Sequence, residues 1–575
     1  MQYRQAANNT LQLPCNEIAR LFESDSSVQP RLADVFEISL AHTMITEQLG
    51  TDARDLAEMT GPTLNDTRQK FSALDREIMA LDARRISAKA SRRPIDIGSD
   101  QGPKSGWTEL SLIENEVKKK KRHLPLRDLI KRSNKALRSL KPVWLMSPLS
   151  AAQYLPRESD FFDLVVIDEA SQMKPADAIG SIARARQVIV VGDPMQLPPT
   201  DFFGASAGSV EGQEGAASDQ SSILDLAEAR LRRRRMLRWH YRSRHESLIA
   251  FSNKHFYQSR LVVFPAATKS VDLGVEQIYV GGRYITGGTN PDEAKAVIEQ
   301  ARQMIDQFPN LSIGIVTTNG DQRELVLEEF EKLSADNRDV ASYRAKWQST
   351  LEPIFIKNLE NVQGDERDII LISTVFGPDE SGRVAQRFGP INSASGHRRL
   401  NVLFTRAKRK LIIVTSLKSA DIIPGNSTNE GVHILKQFLE FSKTGRIETG
   451  VVSDGEPDSD FEVHVAQMLR QAGYEAVPQV GVHGFRIDIG VRHASFPDGF
   501  LAGIECDGAT YHSGVTVRDR DRLRQEMLEG LGWQLYRIWS TDWFTNPEKE
   551  MQRLVAWLEA LRDVKATTTS MVKVA

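Results

Sequence analysis

The chain has 575 residues, of which 40 % are hydrophobic and 26 % are charged, and its formal net charge is −2. This length exceeds what one hydrophobic core serves, so we expect about two to four domains, and any affinity for nucleic acid must come from local basic patches. No apolar run is long enough to span a membrane, no signal peptide is evident, and the two distant cysteines form no metal motif; we therefore expect a cytoplasmic protein.

The first 140 residues are predicted to form a mostly helical, polar arm. Apolar residues recur there at helical spacing among mixed charges: Phe71, Leu74, Ile78 and Leu81. That spacing favours an exposed helix or helical hairpin. A basic run at 118–121 is explained most simply as a solvated helix face.

From about residue 141, short apolar runs alternate with helical segments. This pattern predicts parallel α/β units. A Gly/Ser-rich loop is expected at Gly204–Ser221 and a linker at 448–458. A distinct α/β unit at 459–562 should then read helix, strand, turn, strand, helix, strand, helix, followed by a frayed tail at 563–575. The predicted strands are PVWLMSP, FDLVVIDEA, QVIVVGD, LSIGIVTT, EPIFIKN, RDIILIST and KLIIVTS.

The segment LVVIDEASQ delivers Asp168 and Glu169 to the end of a buried strand. One carboxylate can hold Mg²⁺ through water, and the other can polarise an attacking water. The next strand ends in GDPMQLPPT, from which Gln196 could reach a γ-phosphate. Ligands bind at the carboxyl ends of strands in open parallel sheets, so both segments suit nucleotide chemistry.

Further polar residues stand at strand ends later in the chain. Arg242 is expected beyond a strand and before a helix, and Glu366 follows Gln363 ahead of a buried strand. In RRLNVLFTRAKRKLIIV, Arg399 and Arg406 are predicted on a helix before the last strand. Arginine in such positions can stabilise charge developing on a γ-phosphate.

Residues 140–417 resemble motifs II to VI of superfamily-one DNA/RNA helicases, in the branch with DEAS and RLNV…TRAK. The resemblance implies RecA-like parallel-sheet P-loop NTPase domains: a remnant of the first at 141–235, the second at 236–447, and residues 1–140 as an insertion of the first. It implies binding of ATP and of DNA. The implied roles are Mg²⁺ ligand for Asp168, water activation for Glu169, phosphate sensing for Gln196, γ-phosphate contact for Arg242 and Arg406, and contact near nucleotide and nucleic acid for Glu366.

The phosphate-binding loop of such an enzyme is not evident. The nearest candidate, GSDQGPKSG at Gly98–Gly106, contains Lys104 but has the wrong spacing for GxxxxGK[ST]. Pro103 replaces the required Gly and has no N–H to offer a phosphate. We therefore expect weakened ATP binding and little autonomous hydrolysis, unless a separate polypeptide supplies the loop.

A second set of acids lies in the C-terminal unit. The predicted strand FRIDIGV presents Asp488, and FLAGIECDG presents Glu505 and Asp507. Residues two apart on a strand face the same side, and a hairpin would bring Asp488 near the pair. Three such carboxylates suit Mg²⁺, which can activate water for attack on a phosphodiester. His512 could act as general acid or base, and Glu462 could add a further acid.

About 100 residues of this unit resemble PD-(D/E)xK restriction endonucleases, closest to an ExDG…H branch similar to very-short-patch repair endonucleases. Asp507 stands where that fold normally has Lys, so the general base is open, with His512 as the leading substitute. Two hypotheses follow. One is a hydrolase: a helicase fragment with a Mg²⁺-dependent DNA endonuclease, acting in repair or defence. The alternative is a non-catalytic nucleic-acid-binding or assembly module.

Overall fold

The computed structural model describes ten stretches of the chain: residues 32–51, 60–157, 161–199, 221–268, 270–285, 287–425, 429–445, 459–482, 485–507 and 516–572. The predicted loop up to residue 220, the linker at 448–458 and His512 lie outside them. The chain divides into two compact units. One comprises 1–77, 507–513 and 538–550, and the other comprises 78–506, 514–537 and 551–575.

Helices dominate the described residues up to 154, as the sequence predicts. The longest, α2, has its apolar residues Leu74, Ile78 and Leu81 exposed, and in the smaller unit its first backbone N–H, at Gly61, donates to both oxygens of Asp542. The predicted strand PVWLMSP is wrong: it has no strand partner, and Val143 and Leu145 are exposed. The helices are α1 (Leu32–Thr51), α2 (Gly61–Ser91), α3 (Glu109–Lys118), α4 (Leu126–Arg132), α5 (Asn134–Leu140) and α6 (Pro148–Tyr154).

Two parallel strands follow, β1 (Phe162–Ile167) and β2 (Ala185–Val190), joined through helix α7 (Pro175–Ile182). Helix α8 (Ile223–Arg230) packs with α7 against one face, where Ile167, Ala178 and Leu224 are buried. The other face exposes four apolar side chains: Leu164, Val166, Ile189 and Val191. Parallel sheets are normally covered on both faces, so this one presents an uncovered apolar surface. We call residues 162–230 the first lobe.

The second lobe, residues 247–444, has a five-stranded parallel sheet in the order β3-β7-β6-β4-β5. Buried clusters cover both faces, because nearly every side chain of β4, β6 and β7 is apolar or enclosed. This confirms the predicted parallel α/β fold. In chain order the elements are α9 (Ser247–His255), β3 (Gly274–Tyr279), α10 (Pro291–Gln307), β4 (Ile313–Thr317), α11 (Gly320–Asp336), α12 (Arg338–Gln348), β5 (Phe355–Asn358), β6 (Arg367–Ser373), α13 (Gly396–Phe404), β7 (Ala407–Thr415) and α14 (Glu430–Thr444).

The C-terminal domain, residues 459–572, has a four-stranded sheet in the order β11-β10-β9-β8. Three antiparallel strands precede its second helix, one more than the sequence predicts. The predicted frayed tail is also wrong, because the last helix continues to Val572. The elements are α15 (Asp460–Gln471), β8 (Glu475–Val482), β9 (Phe485–Arg492), β10 (Ala502–Asp507), α16 (Arg524–Gly530), β11 (Leu535–Trp539), α17 (Ser540–Thr545) and α18 (Pro547–Val572).

Among the described residues, every helix falls short of the length or the apolar character that a membrane crossing requires.

Candidate active sites

Asp168 and Glu169 follow β1 directly, and both are exposed. The backbone turns sharply there: Glu169 has φ 51°, in the left-handed region. Its N–H donates to Oδ1 of Asp168 at 2.9 Å, and the N–H of Ala170 donates to the carbonyl of Val191 at 3.0 Å. A left-handed residue other than Gly costs about 1–2 kcal/mol. The strained turn holds two adjacent carboxylates at the carboxyl end of the strand, as LVVIDEASQ predicts.

Gln363 of the second lobe bridges two of the predicted site residues of the first. Its Nε2 donates to Oε2 of Glu169 at 3.2 Å and to Oε1 of Gln196 at 3.3 Å. Gln196 itself donates to Oδ2 of Asp193 at 3.2 Å. The structure therefore brings Glu169 and Gln196 together and ties both to the loop that follows β5.

Tyr257 joins the same two lobes beside this bridge. Its hydroxyl donates to Oδ2 of Asp193 at 2.6 Å and accepts from Nδ2 of the buried Asn401 at 2.9 Å. Asn401 also donates to the carbonyl of Met195 at 2.8 Å. Burial and the neighbouring Asp193 raise the pKa of Tyr257 well above its ordinary value, so the hydroxyl keeps its proton.

The predicted arginines lie close to one another in the second lobe and the segment before it. Nε of Arg242 pairs with Oε2 of Glu366 at 2.7 Å, and Nη1 of Arg242 donates to the carbonyl of Thr405 at 3.3 Å. Arg406 is buried, and burial together with the charge of Arg242 lowers its pKa to about 10. Lys408 adds a cation 3.5 Å from Oε1 of Glu366.

The placement of Arg406 corrects one prediction. Helix α13 ends at Phe404, so Arg399 is helical but Arg406 lies in the turn before β7. Nε of Arg406 donates to the carbonyl of Val402 at 2.8 Å. The bond satisfies one of the carbonyls that a helix end leaves open. Arg242 likewise follows extended chain rather than a strand, since the chain before it makes a single bridge, Trp239 with Val262.

Asp488 and Glu505 meet in the C-terminal domain. Strands β9 and β10 pair Ile489 with Ile504 in antiparallel register, so the next positions along are Asp488 and Glu505. The N–H of Cys506 donates to Oδ2 of Asp488 at 2.7 Å. Burial, and then the charge of Glu505, raise the pKa of Asp488 to about 8. The half-buried Asp488 and the buried Glu505 therefore repel each other at this point of the sheet.

Arg524 at the start of α16 partly neutralises that charge. Its Nη2 lies 2.8 Å from Oε2 of Glu505 and 3.0 Å from Oε1, and its guanidinium lies over the ring of Phe485. Sequence analysis missed Arg524, because nothing in its local pattern points to a strand 19 residues earlier. It supplies a fixed positive charge beside the Glu505 carboxylate.

A third acid of the C-terminal domain accepts a hydrogen bond from a side-chain amide. Glu462 of α15 is buried, and its Oε2 accepts from Nε2 of Gln479 at 2.7 Å. Its charge also raises the pKa of Asp488. Asp507 is the last residue of β10 and is half-buried. The role predicted for it stays a prediction.

The acids suit a hard divalent cation chemically. Glu462, Asp488 and Glu505 offer carboxylate oxygens, the ligands that Mg²⁺ prefers, and burial, then the charges of Glu505 and Glu462, raise the pKa of Asp488. Within the described part of the chain, no three His, Cys, Asp or Glu side chains are close enough together to hold a metal ion. Arg524 forms an ion pair with Glu505, so a cation would have to compete with Arg524 for the Glu505 carboxylate.

Comparisons with known proteins agree with this division of the chain. Residues 146–202 and 219–418 each match a family model described as AAA domain, and residues 461–558 match the model REase_MTES_1575. The chain therefore carries two segments that match AAA domains, followed by a segment that matches an REase model.

Individual helicases are also similar. An uncharacterized ATP-dependent helicase of Mycoplasma pneumoniae is 29 % identical over 73 % of this chain and 38 % of its own length. Its counterpart in Mycoplasma genitalium is 29 % identical over 72 % of this chain and 38 % of its own length. Helicase sen1 of Schizosaccharomyces pombe is 26 % identical over 45 % of this chain and 15 % of its own length. The chain thus spans well under half of each of these relatives.

Proposed function

We propose that the chain is the motor-and-nuclease portion of an ATP-dependent superfamily-one DNA helicase, and that the chemistry it completes by itself is Mg²⁺-dependent cleavage of phosphodiester bonds in DNA. The observation that carries this proposal is the pair of half-buried Asp488 and buried Glu505, on neighbouring strands, with Arg524 beside Glu505. Acids that are not fully neutralised on the inner strands of a sheet cost stability and indicate a functional arrangement.

Asp488, Glu505 and Asp507 would hold the cation, with Glu462 and His512 as the further predicted members. A bound Mg²⁺ supplies a nucleophilic water and charge stabilisation in such sites. Arg524 holds the Glu505 carboxylate in place with two contacts and offers positive charge near an incoming phosphate. The PD-(D/E)xK assignment, the likeness to very-short-patch endonucleases and a role in repair or defence belong to this proposal.

The motor half is supported by the cross-lobe contacts. Gln363, Gln196 and Glu169 form one hydrogen-bonded chain between the lobes, and Arg242, in the segment before the second lobe, lies near Arg406 of that lobe. Arg242 and Arg406 would contact a γ-phosphate, Asp168 would hold Mg²⁺, and Glu169 would orient the attacking water. The loop that cradles the β-phosphate would come from residues outside this sequence and would cover the open face of β1 and β2.

The test is cleavage of single-stranded and duplex DNA by the purified chain with Mg²⁺ or Mn²⁺. Asp488→Asn should abolish cleavage, and Asp498→Asn, an exposed acid of the same domain, should not. Cleavage that survives Asp488→Asn would contradict the proposal. ATPase activity of the same sample should be close to background, and robust turnover would contradict the requirement for an external loop.

The second candidate is a nucleic-acid-binding or assembly module without catalysis. The ion pair that already occupies Glu505 favours it. DNA binding without cleavage by the wild-type chain, in either metal, would decide for it.

A further inference from the structure

The segment between the two lobes carries an exposed run of arginines. Residues 231–238 follow α8, precede the single bridge at Trp239, and belong to no helix or strand; every one of them is exposed. We call residues 232–238 the arginine strip, since all but Met236 and Leu237 are arginine. The whole chain has a net charge of −2, so the strip is a local concentration of positive charge.

The strip is fixed at both ends and open along its length. The N–H of Leu231 donates to the carbonyl of Ala227 at 2.7 Å, and the N–H of Val262 donates to the carbonyl of Arg238 at 2.7 Å. Among the described residues, the backbone N–H groups of 232–237 donate to no backbone carbonyl. The strip therefore offers free donors over a length of at most about 20 Å.

The charges of the strip are poorly balanced. Nη1 of Arg234 lies 4.0 Å from Oε1 of Glu228, and its Nη2 donates to the carbonyl of the same residue. Nη1 of Arg235 donates to the carbonyl of Arg234 at 3.2 Å. In the described part of the chain, the contact with Glu228 is the ion pair that the strip makes. Adjacent like charges repel, so a bound polyanion would stabilise the segment.

The residue types of the strip suit a single strand of nucleic acid. A guanidinium binds phosphate oxygens through two parallel N–H groups and stacks on the face of a base. Free backbone N–H groups also donate to phosphates. Met236 and Leu237 are 41 % and 86 % exposed, and apolar side chains between cations can contact bases that a duplex would keep stacked and paired.

We propose that the arginine strip binds the phosphate backbone of single-stranded DNA, at a site separate from the nucleotide residues of the lobes and from the acids of the C-terminal domain. The choice of DNA as ligand rests on the proposed function, which this site deepens. Binding there requires neither ATP nor a metal ion, because the arginines themselves neutralise the phosphates. It is independent of base sequence, because the contacts are to the backbone.

The experiment combines Arg232→Gln, Arg233→Gln and Arg235→Gln in one variant of the full chain. All three side chains are exposed, so folding should be unaffected. Binding of a fluorescein-labelled oligo-dT of about 20 nucleotides is followed by fluorescence anisotropy in EDTA, between about 50 and 200 mM NaCl. Affinity should fall by roughly 10-fold or more, and the slope of log K against log salt should lose about 0.7 per arginine.

Two further variants separate the site from net charge and from stability. Lys118→Gln, Lys120→Gln and Lys121→Gln together remove the same charge from exposed positions in the helical arm, and should leave the affinity and the slope unchanged. Replacing the three arginines of the strip by Lys should preserve the slope, because the charges remain. Equal losses in the two Gln variants would show an effect of net charge alone and would overturn the site.

The remaining outcomes identify the ligand. If poly-glutamate displaces the labelled strand as well as unlabelled oligo-dT of equal charge does, the strip binds acidic polypeptides and the proposal is wrong. Stronger displacement by duplex DNA would also overturn it.

The nuclease proposal is decided separately, by the cleavage assay with Asp488→Asn. A chain that binds DNA through the strip without cutting it loses the nuclease function alone. A chain that cuts DNA, with unchanged binding in the arginine variant, loses the strip alone.

Discussion

The hydroxyl of Tyr257 in the second lobe donates to the carboxylate of Asp193 in the first lobe at 2.6 Å. The same hydroxyl accepts from Asn401, which is fully buried. Tyr257 thus links the loop after β2, which carries Gln196, to helix α13, which is followed by the turn that contains Arg406. The hydroxyl oxygen of Tyr257 therefore takes part in one of the hydrogen bonds that join the two lobes.

Tyr257→Phe should destabilise the contact between the lobes. The change removes two hydrogen bonds, the one that Asp193 accepts and the one that Asn401 donates, and a typical hydrogen bond contributes about 0.5–1.5 kcal/mol. We expect a lower midpoint of thermal unfolding, measured by differential scanning calorimetry. Tyr241→Phe removes the same atom from an exposed ring and should leave the midpoint unchanged. Equal midpoints for the two variants would contradict the role assigned to Tyr257.

Glu293 should make the second lobe less stable as pH rises. It is fully buried at the start of α10, and burial raises its pKa to about 7 from an ordinary value of 4.5. The folded lobe therefore holds a proton that the unfolded chain has released between these pH values. Stability from this group is present at low pH and is lost as pH rises toward about 7, by up to about 3 kcal/mol.

The measurement is chemical unfolding of wild type and Glu293→Gln between pH 5 and 8. The stability of wild type relative to the variant should fall across this range. Glu299→Gln is a control on the same helix: bonds from Arg302 and Gln303 lower the pKa of Glu299 to about 2. Glu299 is ionised throughout the range, so the difference in unfolding free energy between Glu299→Gln and wild type should not change with pH. A flat difference for Glu293→Gln as well would show that Glu293 is ionised in the folded lobe.

Several features of the fold follow from the sequence because they depend on local pattern. The strands of the second lobe are apolar on both faces, which distinguishes them from helices and from half-exposed strands. Asp488 and Glu505 stand out because two carboxylates interrupt strands that are otherwise apolar. The run PVWLMSP is apolar too, but Val143 and Leu145 stay exposed and only Trp144 packs, against Phe161 and Phe162.

Other features depend on distant packing and leave no local signal. Arg524 meets Glu505 across 19 residues, and Gln479 meets Glu462 across 17. Tyr257 and Asp193 are separated by 64 positions. None of these side chains belongs to a periodic pattern, so their partners become evident only after the sheets are assembled. Arg406 was misplaced on a helix for the opposite reason: the helical pattern continues in sequence beyond Phe404, where the helix ends.

Arg524→Met should shift the pH dependence of metal binding upward. The positive charge of Arg524 lowers the pKa of Asp488, against burial and the charge of Glu505, which raise it. Without Arg524, the pKa of Asp488 should rise further, and a cation must displace the proton that Asp488 then holds to higher pH. Apparent Mn²⁺ affinity, titrated from pH 6 to 9, should rise at a higher pH than in wild type.

Arg486→Met is the matched control, since Arg486 lies exposed on β9 in the same domain. Its titration should overlay that of wild type. If the titration of Arg524→Met also overlays that of wild type, the guanidinium does not control the pH dependence of metal binding by the acids. Tighter Mn²⁺ binding at every pH would instead show that Arg524 competes with the cation for Glu505.

Trp533 should hold the C-terminal domain against the second lobe. The indole is fully buried, and its Nε1 donates to the carbonyl of Pro265 at 2.8 Å. Around it, Phe264 and Ala267 of the second lobe pack with Phe500 of the C-terminal domain in one apolar cluster. The N–H of Phe500 adds a backbone bond to the carbonyl of Ala267 at 2.8 Å. The indole therefore contributes both a hydrogen bond and buried apolar area to the junction.

Trp533→Phe removes the hydrogen bond and leaves a gap where the larger ring was, which should cost about 1–3 kcal/mol of local stability. Because opening of this junction exposes the amide of Phe500, its hydrogen exchange should accelerate by about 5-fold or more. Trp347→Phe is the control, since the indole N–H of Trp347 has no hydrogen-bond partner among the described residues. It should leave exchange at Phe500 unchanged. Unchanged exchange in Trp533→Phe would mean that the backbone bonds alone hold the junction closed.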